Sequence, residues 1–98
     1  MDQNINEINE ITREMTIINK LGIHARPSAM IVQTANQFDS DLFVSHNGQE
    51  EMNAKSIMGV MMLAAGQGTK LTFRAVGQDC RKLIDQIEIL IKSKFNEE

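Results

Sequence analysis

Residues 15–35 read MTIINKLGIHARPSAMIVQTA, which is the pattern of a strand, a loop and a helix in succession. Residues 15–20 form a short segment that is rich in β-branched side chains, which predicts the first strand. Residues 21–26 form a loop, and Pro27 stands where a helix begins, because its fixed φ and missing N–H suit the first helical turn. One face of that helix then carries small or apolar side chains at helical spacing, namely Ser28, Ile31, Val32 and Ala35.

Three further strands follow downstream of this stretch. Residues 41–46 (DLFVSH) predict the second strand, and residues 49–54 predict a short, acidic third strand. The dipeptide Asn47-Gly48 between them is the strongest short signal for a β-hairpin. Residues 69–76 (TKLTFRAV) alternate between apolar and polar side chains, which predicts the fourth strand.

Two more helices complete the order of elements. Ser56 opens an apolar, methionine-rich segment, IMGVMMLAAG, that ends at Gly66 and is interpreted as a helix. Asp79 is placed to cap a last helix, whose apolar face carries Leu83, Ile84, Ile87, Leu90 and Ile91. The order βαββαβα predicts the α+β class, with helices covering one face of a four-stranded sheet.

The composition limits the classes of function. At 98 residues and 11.0 kDa the chain has room for one core, which we assign to residues 15–98 after a polar tail over residues 1–14. A net charge of −3 argues against a dedicated nucleic-acid binder. One cysteine and two distant histidines offer neither a disulfide framework nor a metal site. With no signal-peptide pattern and no apolar run of membrane length, we expect a cytoplasmic protein that acts away from membranes.

His24 is the first candidate for chemistry, because it stands in the loop directly before Ala25-Arg26-Pro27. A helix start offers unpaired backbone N–H groups and the positive end of the helix dipole, which together attract an anion. An imidazole there can act as a nucleophile towards a phosphoryl group, whose oxygens those N–H groups and Arg26 hold. On these residues alone, a surface histidine with no role stays an open alternative.

Ser56 and the apolar residues after it form a second candidate site. As a helix N-cap, Ser56 satisfies a backbone donor, and this structural role is sufficient by itself. A helix start also tolerates a phosphate, so Ser56 is equally a candidate for regulatory phosphorylation. The methionine cluster Met58, Met61 and Met62, together with Ile57, is either part of the core or an exposed surface, since flexible thioethers suit a surface that meets several partners.

The runs NKLGIHARPSA (residues 19–29) and KSIMGVM (residues 55–61) resemble the HPr family. These are the phosphocarrier proteins of the bacterial phosphoenolpyruvate-dependent phosphotransferase system. The resemblance covers residues 15 to about 95 and implies an open-faced β-sandwich. In that fold the antiparallel strand order is 1-4-2-3, and all three helices lie on one face.

The resemblance also implies roles for individual residues. His24 is similar to the histidine that accepts a phosphoryl group on Nδ1, Arg26 to its phosphate-stabilising neighbour, and Pro27 to the residue that starts the helix. Ser56 is similar to the serine that the HPr kinase/phosphorylase modifies. The residues similar to the partner-binding surface of the family are Ala29, Ile57, Met58 and Met61.

The resemblance further implies a carrier rather than an enzyme that turns over freely, with no cofactor and no metal. Its partners would be enzyme I as the donor and an EIIA domain as the acceptor. A monomer is expected, because the relay needs this face free. The lead-in at residues 19–22 and the acidic end at residues 95–98 resemble the nitrogen-related paralogue NPr, whereas KSIMGVM resembles forms that the serine kinase reads. The sugar and nitrogen branches therefore both stay open.

Two other hypotheses remain beside the carrier. One is a regulatory binding module whose docking to a partner is controlled at Ser56. The other is an unrelated small α+β domain in which the histidine is incidental. The variant His24→Ala separates the first two, because it should abolish phosphate acceptance and spare docking that depends on Ser56.

Overall fold

The sheet is built around β4 (Lys70–Val76). In the computed structural model, which describes residues 9–97, β4 pairs antiparallel with β1 (Glu10–Thr16) on one side and with β2 (Asp41–His46) on the other. The short strand β3 (Met52–Asn53) pairs antiparallel with β2 and completes the order β1-β4-β2-β3. The antiparallel four-stranded sheet and its order are as expected.

Three helices cover one face of this sheet. They are α1 (Ala25–Ala35), α2 (Ile57–Met61) and α3 (Cys80–Lys92), and a 3₁₀ turn over Lys94–Asn96 follows them. Strand and helix residues that point between the two layers form one hydrophobic core. From the central strand and the last helix these are Leu71, Phe73, Ala75, Cys80, Leu83, Ile84, Ile87 and Ile91. The predicted α+β class and the apolar faces of α1 and α3 are thus confirmed.

The first strand lies earlier in the chain than predicted. β1 spans Glu10–Thr16, so the prediction of a strand over residues 15–20 is wrong in its bounds. Residues 10–14, which the sequence placed in the polar tail, pair with β4. The rest of that tail up to residue 8 lies outside the described residues.

The cause of this error is an inward-facing charge on β1. Arg13 occupies a half-buried position on the helix side of the strand. Its guanidinium donates hydrogen bonds of 2.8 Å to Asp85 and to Glu88 of α3. Because these ion pairs satisfy the charge, the strand lacks the apolar alternation by which a half-buried strand is recognised.

Other element ends also differ from the predictions. α1 begins at Ala25, before Pro27, which sits in the first helical turn where no backbone N–H is required. α2 ends at Met61, far short of Gly66, because Ala64 adopts a left-handed φ of 49° that a helix cannot contain. The Asn47-Gly48 turn forms, with left-handed φ at both residues, but β3 is confined to Met52–Asn53.

Asp79 precedes α3 as predicted, but its side chain does not cap that helix. Its carboxylate instead accepts hydrogen bonds from the backbone N–H groups of Asp39 and Ser40, at 3.0 and 2.9 Å, and from the Ser40 hydroxyl. The Ser40 hydroxyl is the main cause that lowers the pKa of Asp79. The carboxylate therefore ties the loop before β2 to the start of α3.

Candidate functional site

The loop that carries His24 is fixed to the segment that follows α2. The N–H of Ile23 donates to the carbonyl of Ala65 at 2.8 Å, and the Ile23 side chain is buried. Gly22 has a left-handed φ of 71°, and a Cβ at this position would lie 2.6 Å from the carbonyl oxygen of Ala65. Both the left-handed φ and the lack of space for a Cβ exclude a larger residue at position 22, so the close approach of the two segments depends on glycine.

His24 is the residue immediately before α1. Its backbone is extended, its carbonyl accepts the first helical hydrogen bond from Ser28 at 3.0 Å, and its ring makes no cap hydrogen bond. The side chain is 38% exposed. The imidazole is therefore partly open to solvent beside the N–H groups of a helix start, as the sequence pattern predicted.

Glu97 holds the His24 ring from the far end of the chain. Its Oε2 lies 2.7 Å from Nε2 of His24 and 3.4 Å from Nη1 of Arg26. Sequence reasoning missed this residue as a member of the site, because 73 positions separate it from His24 and no local pattern joins them. The acidic end of the chain was its one visible signal.

A left-handed turn brings Glu97 to this position. Lys94, Phe95 and Asn96 have φ values of 57°, 55° and 61°, which reverse the chain after α3. The Phe95 side chain is fully buried in the core. Three successive non-glycine residues in this region carry backbone strain, which burial of the phenyl ring offsets.

Asn19 secures Glu97 from the other side and was also missed as a site residue. Its side chain is buried, and Nδ2 donates to the Gly22 carbonyl at 2.8 Å and to Oε1 of Glu97 at 2.9 Å. The hydrogen bond from Asn19 is the main cause that lowers the pKa of the Glu97 carboxyl, and the contacts with His24 and Arg26 act in the same direction. Glu97 is therefore a carboxylate at neutral pH.

This geometry determines what the ring can do chemically. A carboxylate only accepts hydrogen bonds, so Nε2 of His24 must be the donor. The neutral ring then has its lone pair on Nδ1. A neutral nucleophilic nitrogen beside a guanidinium and a helix start is suited to attack on an anionic electrophile such as a phosphoryl group.

Ser56 and its neighbours form an exposed apolar surface on α2. The hydroxyl of Ser56 accepts a hydrogen bond of 3.2 Å from the N–H of Gly59, which confirms its role as N-cap. The three apolar candidates that lie on α2 are not core residues: Met58 is 75% exposed, and Ile57 and Met61 are 45% and 44% exposed. We call these three residues the α2 surface.

The other candidates lie around these two groups. α1 packs against α2, and Ala29 on α1 is half-buried. Met62, the remaining member of the methionine cluster, and Leu21, which sequence reasoning did not single out, are also exposed. Within residues 9–97 no helix is long and apolar enough to cross a bilayer, and no group of three His, Cys, Asp or Glu side chains is arranged to hold a metal ion.

His24 does not line either of two hollows of the surface. A hollow of about 690 Å³ lies at the start of α3, between Asp39 and Asp85, and a second of about 280 Å³ lies between β1 and the end of α3.

Comparisons with known proteins show the family to which the chain is related. The family model for the "PTS HPr component phosphorylation site" matches residues 11–93. The phosphocarrier protein HPr of Xylella fastidiosa strain Temecula1 is 46% identical over 88 residues, which are 90% of this chain and 98% of that protein.

Solved structures give the same answer. The chain aligns with HPr-C-His from Thermoanaerobacter tengcongensis with a TM-score of 0.85 and 43% identity, covering 90% of this chain and 98% of that one. An HPr dimer from the same organism aligns with a TM-score of 0.70 and 44% identity, covering 85% and 94%. The chain therefore belongs to the HPr family, the phosphocarrier proteins of the phosphotransferase system.

Proposed function

We propose that this phosphocarrier accepts a phosphoryl group on Nδ1 of His24 from phosphorylated enzyme I and passes it to an EIIA domain. The observation that carries the proposal is the 2.7 Å contact between Nε2 of His24 and the Glu97 carboxylate. Because Nε2 donates in that contact, Nδ1 is the nitrogen with a lone pair.

The transfer itself needs no general base. The Nδ1 lone pair of His24 forms the new N–P bond while the N–P bond of the phosphorylated donor breaks and its electron pair returns to the donor. The hydrogen on Nε2 stays in place, and the Glu97 carboxylate beside it stabilises the positive charge that the ring gains. Arg26 and the N–H groups at the start of α1 face the oxygens of the phosphoryl group.

A carrier must also release the group. The stabilisation that a helix start offers an anion is about 0.3–1 kcal/mol at an exposed site, which leaves the phosphoryl group easily transferred. The His24 ring is partly exposed, so an acceptor protein can reach it. In this role Pro27 fixes the backbone of the first helical turn, which keeps those N–H groups in place.

The α2 surface is the proposed docking site for enzyme I and EIIA, together with Ala29 on the neighbouring helix. Its exposed apolar side chains are concentrated on a short helix next to α1. Phosphorylation of Ser56 by an HPr kinase/phosphorylase would add about −1.5 to −2 charges beside that surface. Burial of the α2 surface against a partner would then cost more, so transfer would slow.

We further propose that the protein acts as a cytoplasmic monomer. The relay needs the face around His24 and α2 free for successive partners. An HPr dimer is known from Thermoanaerobacter tengcongensis, so light scattering on the purified chain is the direct check: a monomeric mass supports the proposal and a stable dimer contradicts it.

The deciding experiment is incubation with phosphoenolpyruvate, Mg²⁺ and enzyme I of either branch, followed by intact mass measurement before and after mild acid. One added phosphate that acid removes, and that His24→Ala does not acquire, is the expected result. A chain that takes no phosphate from either enzyme I would contradict the carrier role and favour a binding module controlled at Ser56.

A further inference from the structure

We infer that Asn19 is a positioning residue, which acts through Glu97 to keep the hydrogen of the His24 ring on Nε2. The inference deepens the proposed function and rests on it, since it concerns how Nδ1 is kept available for phosphoryl transfer. The three side chains form a continuous chain of contacts, from Asn19 Nδ2 to Glu97 Oε1 at 2.9 Å and from Glu97 Oε2 to His24 Nε2 at 2.7 Å.

The orientation of the Asn19 amide is determined by its neighbours. Nδ2 faces two acceptors, the Gly22 carbonyl and the Glu97 carboxylate. The exchanged orientation would place the amide oxygen against both acceptors and is excluded. Oδ1 has no hydrogen-bond partner within residues 9–97 although it is buried.

The carboxylate of Glu97 is therefore divided between two partners. Oε1 accepts from the buried side chain of Asn19, and Oε2 is left for His24. The left-handed turn and the buried ring of Phe95 fix the backbone that carries Glu97. Both ends of the carboxylate are thus held before any partner protein binds.

The variant Glu97→Gln turns this arrangement into a test. The oxygen of the new amide can still accept from Asn19, whereas its NH₂ group cannot face Nδ2, which is also a donor. The NH₂ group must then face His24, whose Nε2 has to accept, and the exposed Arg26 gives up its longer contact of 3.4 Å with position 97. The ring hydrogen moves to Nδ1, where it blocks the lone pair that would attack the phosphoryl group.

Asn19 is tested by combining Glu97→Gln with Asn19→Ala. In this double variant nothing fixes the amide introduced at position 97, so it can rotate and present its oxygen to Nε2. Adding Asn19→Ala is therefore expected to correct the defect of Glu97→Gln. If Asn19 had only a structural role, adding Asn19→Ala would instead lower the rate of phosphate acceptance of Glu97→Gln further. Asn36→Ala is the matched control, because Asn36 Nδ2 also donates to a backbone carbonyl, that of Val32 at 3.0 Å, away from His24.

The tautomer is read from the ring ¹⁵N shifts of His24 in the unphosphorylated protein at alkaline pH, and transfer is read separately by mass. Hydrogen on Nε2 is expected in the wild type, in Asn36→Ala and in the double variant, and a majority on Nδ1 in Glu97→Gln. The initial rate of phosphate acceptance should fall at least about tenfold in Glu97→Gln and recover in the double variant; a wrong tautomer costs a serine protease about 10⁴-fold.

Each outcome decides between the alternatives. If Glu97→Gln keeps its hydrogen on Nε2, or if the double variant keeps it on Nδ1, the inference is overturned. Should the double variant not fold, the tautomer of Glu97→Gln alone still decides, because that side chain lies outside the core. A wild type that shows the expected tautomer but accepts no phosphate would contradict the proposed function and not the geometry argued here.

Discussion

The carboxylate of Glu97 accepts a hydrogen bond of 2.7 Å from the ring of His24, although 73 positions separate the two residues in the chain. The pair joins the end of the chain to the start of α1, and Arg26 lies 3.4 Å from the same carboxylate oxygen. Glu97 is therefore part of the candidate site, and changes that displace it should alter chemistry as well as stability.

Phe95 is the residue that anchors this end, so its loss should have two effects. Phe95→Leu and Phe73→Leu both reduce a fully buried ring, and each should lower the free energy of unfolding by about 1–2 kcal/mol. Phe95→Leu alone should also slow phosphate acceptance, because it loosens the turn that carries Glu97. Urea unfolding and the transfer assay measure the two effects; equal transfer rates in both variants would contradict the anchoring role.

Arg13 should contribute to stability through its ion pairs with α3. Its side chain is 27% exposed and contacts Asp85 and Glu88 at 2.8 Å. Arg13→Gln is expected to cost about 0.5–1 kcal/mol at low salt and less at high salt, because mobile ions screen the pairs. Lys20→Gln, at an exposed loop position, serves as the control, and a salt-independent loss in Arg13→Gln would argue against the ion pairs.

Asp79 predicts how stability changes in acid. Its pKa is lowered, first by the hydrogen bond from Ser40, so the folded state favours the charged carboxylate. The stability it contributes is complete above the pKa of the unfolded chain, about 4, and is lost as pH falls through the lower pKa of the folded state. Asp79→Asn should therefore be less stable than the wild type at neutral pH and nearly equal to it at the acid end.

Chemical denaturation at a series of pH values measures this difference. Asp41→Asn is a suitable control, since Asp41 is an exposed aspartate at the start of β2. A stability gap between Asp79→Asn and the wild type that does not narrow below pH of about 4 would show that the carboxylate charge is not the cause.

Ser56 should affect transfer through charge rather than through the fold. Ser56→Ala removes the N-cap bond to Gly59 and should cost about 1 kcal/mol of stability with little effect on transfer. Ser56→Asp can retain a cap but adds a negative charge beside the α2 surface, so phosphate acceptance from enzyme I should slow several-fold. Ser45→Asp, on β2, adds the same charge elsewhere; equal slowing in both aspartate variants would contradict a local effect.

The α2 surface should matter for partners and not for stability. Met58 is 75% exposed, so Met58→Ala should leave the free energy of unfolding within about 0.5 kcal/mol of the wild type. It should nevertheless raise the KM for the carrier in the enzyme I reaction, because it removes apolar contact area. Ile89→Ala, at an exposed apolar residue of α3, is the matched control. An unchanged KM in Met58→Ala would place the docking site elsewhere.

The elements that sequence pattern predicted best are those whose local chemistry agrees with their surroundings. β2 has the predicted bounds, and β4 starts one residue later than predicted. β4 was recognisable because Leu71, Phe73 and Ala75 alternate with polar residues, as the inner face of a central strand must. β1 was placed too late because its inward Arg13 depends on acidic residues of α3. The partners that compensate the charge of Arg13 are brought to it by the tertiary structure, and they do not lie near Arg13 in the sequence.

The candidate site divides in the same way. His24 and Arg26 could be predicted as site residues because the residues that form a helix start are adjacent in the sequence. The side chains that hold the ring, Asn19 and Glu97, come from opposite ends of the domain and meet only in the folded chain. Asp79 was correctly placed before α3, but its predicted hydrogen bond to that helix is wrong. An aspartate can cap a helix or accept from a neighbouring loop, and here it accepts from the N–H of Ser40.

The hydrogen bond from the Ile23 amide to the Ala65 carbonyl links the loop of His24 to the segment that follows α2. An amide of this kind exchanges its proton with solvent only when the two segments separate. Its exchange rate therefore reports on the loop that carries His24 and on the segment after the neighbouring helix at the same time. Slower exchange at Ile23 on addition of a partner would report that docking on α2 tightens the loop that presents the ring.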